Sequence, residues 1–177
     1  MEAPVTSRSP TPGLARFNAL EERAAATALH EVCASAEWGR RLLAGRPYTV
    51  VDDLLAASDA AMAGLTAADL AEAVAGHPPI GRPEPGDAAS AREQRGMAGA
   101  PAELGAEMLE LNLAYQERFG HVFLIRATGR TGEQMRDALR RRLANSPEQE
   151  REITRTELGA INRIRLSRLV TEDPTAA

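Results

Sequence analysis

The sequence predicts an all-α fold: a single compact helical domain of about seven to nine helices with one short extended segment. Three observations carry that expectation. Alanine, leucine, glutamate and arginine dominate the composition, and their side chains lose little freedom in a helix. Aromatic residues are only 3% of the chain and β-branched runs are scarce, so few stretches could cover a sheet. Helix start and stop signals recur along the whole length. The 177 residues suit one domain, expected over residues 15–171. Residues 1–14 read as a flexible N-terminal segment and residues 172–177 as a frayed C-terminus.

Taken in order, Asn18-Ala19-Leu20-Glu21 has the spacing of a capping box and predicts a helix over residues 19–33. A shorter helix over 36–44 follows, with Trp38, Leu42 and Leu43 facing inward and Gly45 as its stop. Thr49 opens a third helix ending near Gly64. Thr66 to Asp69 opens a fourth, with Leu70 and Val74 on one face and Gly76 at its end. His77 then lies just past a helix terminus, and Pro78 blocks continuation. A Pro/Gly-rich loop leads to a short helix over 88–97. Pro101 is placed as a first-turn residue of a longer helix reaching Phe119, with Leu104, Met108, Leu111 and Tyr115 as its stripe. Val122 to Ile125 is the one apolar run that reads as extended. Thr131 opens a helix to Asn145, and Ser146 opens the last one, to Val170.

Composition excludes several chemistries. All 21 basic residues are arginine, so no lysine is present for a Schiff base or as the usual pyridoxal phosphate anchor. A single cysteine, Cys33, permits neither an intrachain disulfide framework nor a thiolate zinc site, which suits a reducing cytoplasm. The net charge of −4 argues against nucleic acid as the principal partner. No segment approaches the roughly 20 apolar residues that span a bilayer, and the N-terminal stretch has no signal-peptide core. Arg140-Arg141-Arg142 beside Arg136 reads as a solvated basic helix face.

Chemistry therefore centres on few residues. Of three histidines, His30 lies inside a helix with no ligand partner at useful spacing, and His121 adjoins the extended run, where packing is its simpler role. His77 is held between a helix-stopping glycine and two prolines. Its imidazole titrates near neutrality and can exchange a proton there. It has no second ligand for a metal. Ser90-Ala91-Arg92-Glu93-Gln94 supports two readings: Ser90 and Glu93 as a capping box, or Glu93 as an acid–base group with Gln94 as an amide for a urea-like ligand.

The run His77-Pro78-Pro79-Ile80-Gly81, the Pro/Gly loop, and then Ser90 to Gln94 together resemble the active-site region of the OHCU decarboxylase family. Further pieces match in order: Ala36-Glu37-Trp38, Arg46-Pro47-Tyr48, Arg118-Phe119-Gly120, Phe123 to Ala127, Arg142 to Asn145, and Glu157 with Ile161, Arg165 and Leu166. Family members often carry an aromatic where this chain has His121, and small or apolar residues near Arg126. The resemblance implies an all-helical, cofactor-free and often dimeric enzyme. It would convert 2-oxo-4-hydroxy-4-carboxy-5-ureidoimidazoline (OHCU) to (S)-allantoin in urate breakdown, with urate oxidase and hydroxyisourate hydrolase as pathway neighbours. It places the catalytic histidine on His77 and the adjoining substrate contact on Pro78. Ser90, Glu93 and Gln94 take the family's serine, glutamate and glutamine. Phe123, Leu124, Ile125, Arg126 and Ala127 form the segment that binds substrate, partly through its backbone. Arg165 is a weaker candidate for the substrate carboxylate. Two other readings stay open: a non-catalytic helical ureide-binding module, and an enzyme on this scaffold acting on a related hydantoin or ureide.

Overall fold

A computed structural model describes residues 10–83 and 85–171. Among these residues there are nine α-helices and one 3-10 turn, and no strand. The helices are α1 (Pro12–Ala19), α2 (Glu22–Val32), α3 (Ala36–Ala44), α4 (Val51–Ala63), α5 (Ala67–Ala75), α6 (Ala88–Glu93), α7 (Ala102–Phe119), α8 (Gly132–Arg142) and α9 (Pro147–Thr171). The 3-10 turn, Arg95–Met97, continues from α6. No single helix among the described residues is long and apolar enough to cross a membrane. By internal contacts the chain divides into two units: one of residues up to Asp69 together with Asn162 onward, and one of Leu70–Ile161.

In the first unit, α3 packs on α2 and on α4. Ser35 caps α3 by accepting from the Trp38 amide at 3.3 Å, and the fully buried Trp38 indole donates to Ser58 at 3.3 Å. Residues 12–33 hold two helices, α1 and α2, and the helix expected over residues 19–33 corresponds to α2, which starts at Glu22. Asn18 does not cap the second of them, and the helix N-cap at Glu21 receives no side-chain hydrogen bond. The Asn18 side chain binds Tyr48 at both ends, accepting from its amide at 3.0 Å and donating to its carbonyl at 2.8 Å. Arg46 donates to the Asn18 carbonyl at 2.6 Å and to the Leu20 carbonyl at 2.5 Å. These contacts satisfy the carbonyls that a helix break exposes, so the break is a tertiary product that local spacing does not encode. The helix before it begins at Pro12, inside the stretch assigned to the N-terminal segment. Thr11 caps it, and Leu14 and Phe17 are buried.

In the second unit, the local signals at two helix starts read as expected. Thr131 and Gln134 form a reciprocal capping box at α8. Ser146 and Gln149 do the same at α9, at 2.9 and 3.2 Å. Helix α8 stops at Arg142 rather than Asn145, and the amides of Leu143 to Asn145 continue into a turn. An apolar cluster unites α7, α8 and two non-helical segments: Leu104, Met108 and Tyr115; Met135, Ala138 and Leu139; and Ile80 with Phe123, Ile125 and Ala127.

Close approach is enforced at Gly96. A β-carbon on Gly96 would lie 1.9 Å from the Arg130 carbonyl oxygen, so the 3-10 turn and the loop before α8 meet backbone to backbone. Gly96→Ala should therefore destabilise by about 1–3 kcal/mol. Gly105, in α7 with open space around its β-position, should gain up to about 1 kcal/mol as alanine. Urea unfolding of the two variants checks both signs.

Candidate active site

Helix α5 opens with Thr66 and Asp69 capping each other: the Asp69 carboxylate accepts from the Thr66 amide at 2.9 Å, and the Thr66 hydroxyl accepts from the Asp69 amide at 3.2 Å. It ends at Ala75, two residues before His77, whose amide donates to the Val74 carbonyl at 3.0 Å. The two prolines then carry the chain away from the helix. His77 is 8% exposed, so a polar ring is buried at a point the backbone fixes.

Ser90 and Glu93 do not form a capping box. Asp87 is the N-cap of α6, accepting from the Ser90 amide at 2.9 Å. Ser90 thus falls inside the helix and is buried, as are Glu93 and Gln94. Positions i, i+3 and i+4 share one helix face, so the three polar groups are turned inward together. The cap was one residue type, three positions earlier.

Gln94 joins this face to the histidine loop. Its Oε1 accepts from the Gly81 amide at 2.8 Å, and its Nε2 donates to the Pro79 carbonyl at 3.4 Å. A primary amide carries two N–H donors, so one stays available to a ligand. Gly81 has φ +85°, the left-handed backbone that lets its amide turn towards Gln94. From the other side, Asn112 of α7 donates to the Ile80 carbonyl at 3.0 Å, and Ile80 is buried in the apolar cluster. The loop is therefore gripped by two side-chain amides and one apolar anchor. Sequence reading assigned Gln94 to ligand binding and passed over Asn112 altogether.

The segment Phe123–Ala127, which overlaps the run Val122–Ile125 that the sequence predicts as extended, is neither helix nor strand, and Arg126 alone in it is exposed. It has no strand partner among the described residues, and side chains take the place of a ladder. Arg142 Nη1 donates to the Leu124 carbonyl at 2.7 Å, and Glu157 accepts from the Arg126 amide at 2.8 Å. Of the five amides in this stretch, only that of Arg126 has an acceptor among the described residues. Buried donors without partners are rare in folded chains and mark places where a ligand or water completes the bonding.

Arg142 corrects the reading of a solvated basic face. Arg140 and Arg136 do reach an outer carboxylate, Glu107. Arg142 is 7% exposed and ion-pairs with the fully buried Glu150, Nε at 2.8 Å and Nη2 at 2.5 Å. Tyr115 also donates to Glu150 Oε1, and Asn145 donates to Oε2 at 2.8 Å. The Arg142 guanidinium stacks over Phe123, 4.6 Å from the ring centroid. A signal for this was present: Met135, Ala138, Leu139 and Arg142 are spaced i, i+3, i+4, i+7, which continues the buried stripe of α8.

His121 packs edge-on to Tyr115 at 5.6 Å between centroids, a structural role, and His30 is exposed. Arg165 belongs to the first unit, where its Nη1 donates to the Val32 carbonyl at 3.2 Å.

The segments gathered here by Gln94, Asn112 and the Ile80 cluster fall within one family signature: the model of the OHCU decarboxylase family matches residues 18–167. The chain belongs to the OHCU decarboxylase family. It is 33% identical over 147 residues to the uric acid degradation bifunctional protein TTL of Arabidopsis thaliana, covering 79% of this chain and 45% of that protein. It thus spans under half the length of that curated relative. A crystal structure of OHCU decarboxylase in the presence of (S)-allantoin superposes with a TM-score of 0.74 at 27% identity, over 86% of this chain and all of that one. An (S)-allantoin synthase structure shares the fold at a TM-score of 0.69 and 18% identity, over 89% of this chain and 54% of that one.

Breaking the buried pair should be costly. Arg142→Met leaves the Glu150 carboxylate without its cation and should destabilise by about 3–5 kcal/mol, read by urea unfolding. Burial, and then the hydrogen bond to Glu150, push the Tyr115 phenol above its ordinary pKa. Its contribution to stability is full below about pH 10 and is lost as pH rises beyond that, because the unfolded chain ionises first. Tyr115→Phe should flatten this alkaline limb in a stability–pH profile.

Proposed function

We propose that this chain decarboxylates OHCU to (S)-allantoin in urate degradation. The observation that carries the reading is the inward-facing polar set His77, Ser90, Glu93 and Gln94, held by the loop contacts above, on a chain of the OHCU decarboxylase family. Likeness to an OHCU decarboxylase crystallised in the presence of (S)-allantoin supports the same substrate class.

The chemistry suits these groups. The bond from C4 to the carboxylate breaks, carbon dioxide leaves, and the electron pair moves into the adjacent C5=N bond, whose nitrogen takes up a proton; loss of the proton from the 4-hydroxyl then gives an enolate whose nucleophilic carbon is C5. Protonation of the carbon from one face then gives a single enantiomer. The substrate supplies its own electron sink, so the protein need only orient the carboxylate, stabilise the oxyanion and deliver a proton. His77 and Glu93 handle the proton at the substrate hydroxyl and at the reacting carbon. Ser90, Pro78 and the remaining N–H of Gln94 fix the ureido and ring groups. The open amides between Phe123 and Ala127 donate to the developing oxyanion. Arg165 remains a candidate for the carboxylate. A homodimer, a cytoplasmic setting, and substrate supply through urate oxidase and hydroxyisourate hydrolase belong to the same proposal; the lone buried thiol of Cys33 is compatible with a reducing compartment.

The test is a coupled assay in which urate oxidase and hydroxyisourate hydrolase generate substrate in place, with circular dichroism following (S)-allantoin. Wild type should yield that enantiomer. His77→Ala and Glu93→Gln should each lower the rate by about 10²–10⁴-fold with unchanged far-ultraviolet spectra. Full activity in the His77 variant would overturn its role.

A further inference from the structure

The basic run of α8 is not spent on one purpose. Arg140 and Arg136 reach Glu107, and Arg142 reaches Glu150, which leaves Arg141. Its guanidinium has no partner among the described residues. It lines a cavity of about 400 Å³ together with Arg126, Arg130, Thr128, Gln134 and Asp137, all within the second unit. None of His77, Pro78, Ser90, Glu93 and Gln94 lines it, and of the residues assigned to the substrate only Arg126 does.

The charge within this cavity does not balance. Three guanidinium groups face one carboxylate, and Asp137 is already engaged by Arg136 at 2.8 and 2.9 Å. Arg130 donates from Nε to the Arg126 carbonyl at 3.0 Å, and its Nη2 stands 4.0 Å from Glu157. That is a long contact for an ion pair. The Arg126 side chain, like that of Arg141, has no partner among the described residues. In a chain whose net charge is −4, this is a local surplus of positive charge with several unused donors.

We infer that this cavity binds a small dianionic oxyanion of the phosphate type, bridging Arg126 on the extended segment and Arg141 on α8. Arginine is the side chain best suited to that task, since its planar fork gives two parallel hydrogen bonds to adjacent oxygens. Gln134 keeps its amide N–H groups available, because its Oε1 is the atom used in the capping box. The Thr128 hydroxyl is a further donor. No lining residue is aromatic, so there is no platform on which a nucleobase would stack. The anion is either free phosphate or a small phosphomonoester.

Calorimetric titration with inorganic phosphate tests this, against sodium chloride matched in ionic strength, on wild type and on Arg126→Gln/Arg141→Gln. Both positions are exposed, so the fold should persist by circular dichroism. Wild type should bind one phosphate saturably, and the double variant should bind at least about tenfold more weakly. Competition by glycerol phosphate would assign the site to phosphomonoesters as well, and its absence would restrict the site to the free anion. Equal binding by the double variant, or an equal response to chloride, would overturn the inference. The titration involves no decarboxylation, so its outcome is independent of the proposed reaction.

Discussion

The Glu150 carboxylate is the point on which the second unit turns. It is fully buried at the start of α9 and collects donors from α7 through Tyr115, from α8 through Arg142, and from the intervening turn through Asn145. A charge withdrawn from water at this cost is tolerable only when nearly all its lone pairs are met. The same arginine spends its remaining donors on Thr154 and on the Leu124 carbonyl. One ion pair therefore sets the meeting of three helices and the course of the extended segment that runs past them.

Side chains do work here that a β-ladder does elsewhere. A stretch such as Phe123–Ala127 ordinarily satisfies its backbone in a sheet. In this all-helical setting Arg142 and Glu157 bind it at two points, and Phe123, Ile125 and Ala127 anchor it by burial. The histidine loop is built on the same plan, with Gln94 and Asn112 in place of ladder partners.

Sequence reading reached the features that are encoded locally. The boxes at Thr131 and Ser146 depend on residues three apart and were legible from spacing alone. The run Ala36–Ala44 was legible for similar reasons. The same rule misled at Asn18 and at Ser90, where a side chain with capping chemistry was claimed by a partner distant in sequence or turned into the interior. Tyr48 captured Asn18 across 30 residues, and Asp87 displaced Ser90 from the cap. Arg142 was misjudged because charge was weighed before position on the helix. The buried stripe it continues was the better guide, and its partner Glu150 becomes evident only once α8 and α9 are folded back on each other. The candidate site residues came from the resemblance in their order along the chain; the placement of Ser90, Glu93 and Gln94 on one buried face of α6 came from the structure.

The grip on the histidine loop has a consequence for how such a site can change over generations. Its position depends on two amide side chains, Gln94 and Asn112, and on the buried Ile80, rather than on a continuous backbone lattice. A substitution at either amide removes a polar tie of the loop without removing any helix's own backbone hydrogen bonds. On the proposed reading of the site, the residues that aim its chemistry are then different from those that hold the helices together.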